Sequence, residues 1–115
     1  MEKQQRYRTV LLYRAYFQEV FQRQREKLQQ KIIWTLSLIE ELPRVPDLYL
    51  KHLEGTDGLY EIRIQQGSDS IRLFCFFDKD KLVVLNGFSK KSQKTPPQEI
   101  TKALVLKKEY EHEKK

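Results

Sequence analysis

Arginine side chains on neighbouring predicted strands are the residues of this sequence best suited to chemistry. Arg63 and Arg72 lie on the two strands of a predicted hairpin. Because side chains alternate along a strand, both arginines fall on the face opposite Ile62 and Leu73. Guanidinium groups are always charged and bind phosphate through paired hydrogen bonds. The pair could therefore bind a phosphodiester and stabilise charge that develops on phosphorus.

A lysine-rich segment after the next predicted strand brings further positive charge to the same sheet. It contains Lys90, Lys91 and Lys94. Phe74 falls on the same predicted face as Arg72. A sheet that presents cations beside exposed aromatic rings can neutralise phosphates and stack nucleobases. The alternative is that the lysines form only a solvated loop.

Other residue types that often form active sites are sparse. GxGxxG, P-loop, HExxH and paired CxxC motifs are all missing from the sequence. His52 and His112 stand far apart, so we expect no metal site. Cys75 falls on the inward face of a predicted strand, where a packed thiol is more common than a nucleophile. Arg63 has an alternative role of its own, which is an ion pair with Glu61.

Hydrophobic periodicity predicts the elements of the first half of the chain. Residues 7–13 are rich in β-branched and aromatic side chains and predict a strand. Residues 15–42 predict helix, and a break near Arg23 could divide them into two antiparallel helices. An apolar stripe runs along this segment, and Ile33 and Trp34 widen it. Its members are Leu28, Ile32, Leu36 and Ile39.

Three strands and a helix follow in the second half. Residues 59–65, 70–77 and 81–88 alternate or are continuously apolar, which predicts a three-stranded meander. Thr95 and Pro96 suit the start of a helix. The order predicts an α+β fold with a small, mostly antiparallel sheet of about four strands. We expect the N-terminal helices on one face, a C-terminal helix, and a second face that is partly open.

Length, composition and charge limit the classes of protein that fit. The 115 residues suit one domain, spanning 1–115, and 39% hydrophobic residues favour a folded core. The single cysteine indicates a reduced, cytoplasmic protein, and no apolar run is long enough to cross a membrane. Residues 1–33 hold eight basic and three acidic side chains, and residues 81–115 hold nine and four. This distribution favours a polyanionic partner, with nucleic acid as the first candidate.

Three segments resemble the RelE/HigB toxins of bacterial type II toxin–antitoxin systems, in particular the phage-derived HigB-like subfamily. They are LYEIRI at residues 59–64, IRLFCFF at 71–77 and VVLNGFSKKSQKTP at 83–96. The most specific part is GF-x-KK-x-QKTP, and the resemblance extends from Tyr7 to Tyr110 with the same element order. It implies the RelE-like fold and a toxin that inhibits translation by cleaving messenger RNA, usually in the A site of the 70S ribosome.

The resemblance also implies a mechanism and a partner. Such endoribonucleases, or mRNA interferases, need no metal or cofactor. The ribose 2′-hydroxyl attacks the adjacent phosphate and leaves a cyclic phosphate and a 5′-hydroxyl. A helix-turn-helix antitoxin of the HigA type is the expected neutralising partner, and no membrane partner is expected.

Carried over position by position, the resemblance assigns Arg63, Arg72 and Lys91 as catalytic. Arg72 and Lys91 would stabilise transition-state charge, and Arg63 would bind the scissile or a flanking phosphate. Lys90 and Lys94 lie beside Lys91 as candidates for RNA binding. Phe74, Lys51 and His52 complete the set of candidate RNA-binding residues.

The sequence departs from the family pattern at the position of the general base. Glu61 stands where RelE-like enzymes often carry a lysine, and Tyr110 does not match the late catalytic tyrosine of some relatives. His52 is a candidate, although a role in a surface loop is the alternative. A lysine would serve only if neighbouring cations or burial lowered its pKa toward neutral. The lysines considered are Lys51, Lys90 and Lys91.

Two other hypotheses stay open at this point. One is a non-enzymatic binder, either a ParE-like toxin that blocks another target or a plain RNA-binding domain. The other is an inactive, phage-derived remnant that still binds an antitoxin.

Overall fold

The described part of the chain forms five strands and three helices. The computed structural model describes residues 6–90 and 94–114. In chain order the elements are β1 (Thr9–Leu12), α1 (Tyr16–Gln22), α2 (Glu26–Glu41), β2 (Leu50–His52), β3 (Tyr60–Gln66), β4 (Asp69–Asp78), β5 (Lys81–Ser89) and α3 (Pro97–Glu113). The predicted α+β class is confirmed, with one strand more than expected.

The five strands form a single mostly antiparallel sheet in the order β1-β5-β4-β3-β2. β1 runs parallel to β5, and the other neighbours are antiparallel. The strand that the sequence did not predict is β2, which has three residues and is too short to show alternation. β5 lies between β1 and β4, and residues 82–86 are all buried, which explains why β5 is apolar on both faces.

The helical segment divides at Arg23, as its sequence suggested. Arg23 ends α1, and Arg25 before α2 is extended, with φ −65° and ψ 156°. Two amide side chains bond carbonyls in the last turn of α1, because Gln24 Nε2 donates to Val20 O and Gln29 Nε2 donates to Phe21 O, both at 2.9 Å. These bonds satisfy carbonyls that a helix end leaves without partners. Within the described residues, no helix combines the length and apolar character needed to cross a bilayer.

The first hydrophobic layer lies between α1, α2 and one face of the sheet. The predicted stripe of α2 is buried there at Leu28, Ile32 and Ile39. Ile33 and Trp34 do not widen this stripe, since both are largely exposed. They lie beyond the roughly 100° of helix surface that a sheet can cover.

The second layer lies between α3 and the other face of the sheet, which is covered over part of its area and stays partly open. Ala103, Leu106 and Tyr110 follow one side of α3 and pack with Phe76 and Val83 of the sheet. Spacings of three and four residues put these α3 side chains on one face. The open surface is therefore limited to the end of the sheet beyond the start of α3.

An irregularity in the β4–β5 pairing lies beside the arginines. The register changes by one residue between Leu73, which pairs with Gly87, and Cys75, which pairs with Val84. A Cβ atom on Gly87 would lie 2.5 Å from Leu73 Cδ2 and 2.8 Å from the carbonyl oxygen of Arg72. Glycine is therefore needed for β5 to approach β4 this closely at the end where the site is built.

Candidate functional site

Glu61, Arg63 and Arg72 meet on the face of the sheet that α3 covers elsewhere. Arg63 and Arg72 are directly paired in the β3–β4 ladder, and Glu61 lies two residues before Arg63 on the same face. Arg72 Nε is 3.4 Å and Arg63 Nε is 3.8 Å from Glu61 Oε1. The hydroxyl of Thr95 donates to Glu61 Oε2 at 3.1 Å. One carboxylate thus contacts both arginines and the segment before α3.

The three charged side chains differ in their access to solvent. Glu61 is 5% exposed, Arg72 is 8% exposed and Arg63 is 34% exposed. Arg72 Nη1 also donates to Ser70 Oγ at 2.8 Å, and burial lowers the pKa of Arg72 while Glu61 acts in the opposite direction. Arg63 can therefore contact a ligand directly, whereas Arg72 acts mainly through its charge. Arg63 also forms the ion pair with Glu61 that was considered as its alternative role.

Two lysines lie close to the same carboxylate. Lys51 of β2 pairs with Glu61 in the ladder, so the two side chains share a face. The backbone N–H of Lys90, just after β5, donates to Ser70 O at 2.8 Å. Burial lowers the pKa of the Lys90 amine, and repulsion from nearby cations, Arg72 first among them, lowers it further. The Lys90 pKa is therefore shifted in the direction that proton transfer by a lysine requires, and Glu61 opposes this shift.

Four positive side chains thus lie around a single buried carboxylate. They are Lys51, Arg63, Arg72 and Lys90, and we call them the cation cluster. Glu61 offsets one of the four charges. The remaining positive charge makes this end of the sheet attractive to a phosphate.

The other two predicted lysines lie on the segment between β5 and α3. Lys94 is exposed and directly precedes Thr95, the residue that bonds Glu61. This position puts Lys94 at the rim of the cation cluster. Lys91 lies outside the described residues, so its assignment stays a prediction.

Two residues predicted to bind RNA are not available at the cation cluster, although Phe74 adjoins it by pairing with Glu61 in the ladder. Phe74 is fully buried and its ring stacks on Phe88, with 5.7 Å between centroids. Its assignment is wrong because α3 covers that part of the face. His52 pairs with Tyr60 in the ladder, and alternation turns it to the face opposite Lys51. Its ring lies 5.1 Å from that of Tyr60, so it does not join the site.

Tyr110 and Cys75 are both held in the core. The Tyr110 hydroxyl donates to Asp78 at 2.7 Å, and burial together with this bond raises the pKa of Tyr110 to about 12. Asp78 ends β4, six residues beyond Arg72, which is roughly 20 Å along a strand. Cys75 is fully buried, and burial raises the pKa of its thiol well above the usual value. In residues 6–90 and 94–114, no group of three or more His, Cys, Asp or Glu side chains could hold a metal ion.

A pocket of about 220 Å³ opens beside Arg63, where β3 continues past the end of its pairing with β2. Its lining residues are Lys31, Leu48, Tyr49, Arg63, Ile64, Gln65 and Arg72. Sequence reasoning missed Lys31 and Tyr49 because they come from α2 and from the loop before β2. Only the packing of α2 against the sheet brings them next to the arginines, and no local pattern marks Tyr49.

Comparisons with known proteins identify the family and the fold. The family model described as phage derived protein Gp49-like matches residues 19–108, more than three quarters of the chain. Among solved structures, the chain is similar to a mutant of the E. coli toxin RelE in the free state, with a TM-score of 0.58 and 18% identity over 89% of this chain and 97% of that one. No curated protein matches the sequence. The predicted resemblance to RelE/HigB toxins is confirmed in family and fold, and the HigB-like subfamily stays a prediction.

Proposed function

Because the chain belongs to the phage-derived Gp49-like family and has the fold of the toxin RelE, we propose that it is the toxin of a type II toxin–antitoxin system. Its proposed activity is that of a ribosome-dependent mRNA endoribonuclease, acting in the cytoplasm. The observation that carries this proposal is the cation cluster, in which Arg63 and Arg72 lie within 4 Å of one carboxylate and two lysines lie nearby. Such a cluster can bind a phosphodiester and stabilise charge on it.

The proposed reaction is a metal-independent transesterification. The 2′-oxygen of a ribose forms a bond to the adjacent phosphorus, and the bond from phosphorus to the 5′-oxygen of the next nucleotide breaks. The products are a 2′,3′-cyclic phosphate and a free 5′-hydroxyl. The reaction needs a base for the 2′-hydroxyl proton, cations near the phosphate oxygens, and an acid for the leaving oxygen.

The residues of the cation cluster take different proposed roles. Arg63, the more exposed arginine, binds the non-bridging phosphate oxygens. Arg72 adds positive charge from its buried position, and Lys91 keeps its predicted role in stabilising the transition state. Lys90 is the proposed acid, because a lowered pKa makes its ammonium a better proton donor to the 5′-oxygen. The general base is not assigned.

The proposed partners follow from this activity. Messenger RNA in the A site of the 70S ribosome is the substrate, and a helix-turn-helix antitoxin of the HigA type neutralises the toxin. Because the cation cluster carries excess positive charge, acidic side chains of the antitoxin could cover it directly. Alternatively, an antitoxin bound to another surface of the toxin could prevent the toxin from entering the ribosome.

Induction in cells without the antitoxin tests the proposal. The wild-type chain should stop growth and produce cuts within translated messages, and Arg63→Ala should abolish both effects. Arg44→Ala is a matched control, since Arg44 is exposed in the loop before β2 and lies outside the cation cluster. Unchanged growth and intact messages with wild-type protein present would contradict the proposal and favour an inactive remnant.

A second candidate function is a non-enzymatic, ParE-like or RNA-binding role. The observation that favours it is the contact of both arginines with Glu61, which stands where a lysine is common in RelE-like enzymes. Binding to ribosomes distinguishes the two functions. An endoribonuclease loses toxicity on Lys90→Ala while it still binds ribosomes, whereas a binder loses toxicity and binding together.

A further inference from the structure

Three side chains form a platform next to the candidate site, in which Trp34 is exposed and Lys31 and Tyr49 are partly buried. The Trp34 ring packs edge-on against the ring of Tyr49, with 5.8 Å between centroids and an angle of 71°. Lys31 Nζ lies 4.4 Å from the centroid of the Trp34 ring. We call Lys31, Trp34 and Tyr49 the Trp34 platform. Its components are those that bind single-stranded nucleic acid elsewhere, namely aromatic rings beside a cation.

The Trp34 ring of the platform lies at the surface, although an apolar side chain gains from burial. Trp34 is 47% exposed, and the adjacent Leu48 is 68% exposed. Packing of α2 does not need Trp34, because the helix is anchored by the buried Leu28, Ile32 and Ile39. An exposed apolar patch on a small protein is typical of a binding site.

The platform and the cation cluster are joined by one pocket. Lys31 and Tyr49 line the same pocket of about 220 Å³ as Arg63 and Arg72. A backbone hydrogen bond holds Tyr49 of the platform next to Arg63 of the cation cluster, because the N–H of Arg63 donates to Tyr49 O at 2.8 Å. A ligand whose phosphate lies at Arg63 therefore has the platform within its reach.

We propose that the Trp34 platform stacks a nucleobase of the same RNA strand whose phosphate is bound by Arg63. This inference rests on the proposed function and adds a subsite to it. The pocket is lined by three cations and by no acidic residue among those described, which suits the alternating phosphates and bases of single-stranded RNA. A stacked base needs no sequence-specific hydrogen bond, so the platform adds affinity for any base. Lys31 would lie beside that nucleotide's phosphate.

Binding of a short RNA with 2′-O-methyl riboses tests the inference, because this probe cannot be cleaved. Trp34 is the single tryptophan of the chain, so its fluorescence reports on the platform directly. We expect the RNA to quench this fluorescence in the full-length wild-type protein. In fluorescence anisotropy with labelled RNA, Trp34→Ala should weaken binding by about 5- to 150-fold, the usual loss for one stacked base. Trp34→Phe should restore part of the lost RNA affinity.

The control and the other variants separate this inference from the proposed function. Ile33→Ala changes an exposed apolar neighbour on α2 and should bind like the wild type. Normal RNA binding by Trp34→Ala, together with weakened binding by Arg63→Ala, would overturn the stacking site alone. This result would favour a different role for the platform, namely binding of a protein such as the antitoxin. Absence of RNA binding by wild-type protein, even at millimolar concentration, would count against both the platform and the phosphate site.

Discussion

Replacing Glu61 with glutamine is the change that tests how the cation cluster is held together. Glutamine keeps the size of the side chain and an oxygen for Thr95, but it removes the negative charge 3.4 Å from Arg72 Nε. Water cannot replace this charge well, because Arg72 is almost fully buried. Loss of one partner of a buried ion pair costs about 3–5 kcal/mol. We expect about 3 kcal/mol, since Arg72 keeps its bond to Ser70.

Thermal and urea unfolding, followed by circular dichroism, measure this loss. A chain of this length loses about 4 °C in Tm per kcal/mol, so we expect a decrease of about 12 °C. Glu54→Gln is the matched control, because Glu54 is exposed in the loop before β3, and it should change stability by less than about 0.5 kcal/mol. Glu61→Gln should also bind the non-cleavable RNA more tightly, because a negative charge has left the site.

A double substitution distinguishes an unpaired charge from a general packing defect. In the double variant Glu61→Leu with Arg72→Met, both members of the pair are replaced by apolar side chains. This variant should be more stable than Glu61→Gln alone, because no uncompensated charge stays buried. A Glu61→Gln protein as stable as the wild type would refute the reasoning, since the carboxylate would then contribute nothing to holding Arg72.

Two further substitutions and one labelling experiment test other parts of the structure. Gly87→Ala should cost about 1–3 kcal/mol in urea unfolding, because its Cβ would lie 2.5 Å from Leu73 Cδ2. Tyr110→Phe should cost about 1–2 kcal/mol by losing the bond to Asp78. Because the folded state raises the pKa of Tyr110 to about 12, the wild type should lose stability between about pH 10 and pH 12, as tyrosinate absorbance and unfolding would show, and the variant should lose less. Cys75 should react with a thiol reagent only after unfolding, and rapid reaction of the native protein would show that the core is not closed.

The sequence predicted those features that depend on local periodicity. Alternation in β3 and β4 placed Arg63 and Arg72 on one face, and the ladder pairs them directly. The weak helical pattern near Arg23 marked the division between α1 and α2. Both features are set by residues close in the chain, which is where pattern reasoning is strongest.

Features that depend on distant packing could not be predicted. The sequence predicted the C-terminal helix but not which face of the sheet it covers, and that choice buried Phe74. Trp34 looked like a core residue by its spacing, yet the sheet does not extend under it, and it is exposed beside Tyr49.

Cleavage of a message in the A site of purified ribosomes is the most direct test of the claim that the cation cluster binds an RNA phosphodiester for 2′-hydroxyl attack. The wild-type protein should leave a 2′,3′-cyclic phosphate and a 5′-hydroxyl, and a message with 2′-deoxyribose at the cut position should stay intact. Arg63→Ala should slow the single-turnover rate by about 100-fold or more, while Arg44→Ala should not change it. Cleavage by Arg63→Ala at the wild-type rate, or cleavage of the deoxy message, would contradict the account.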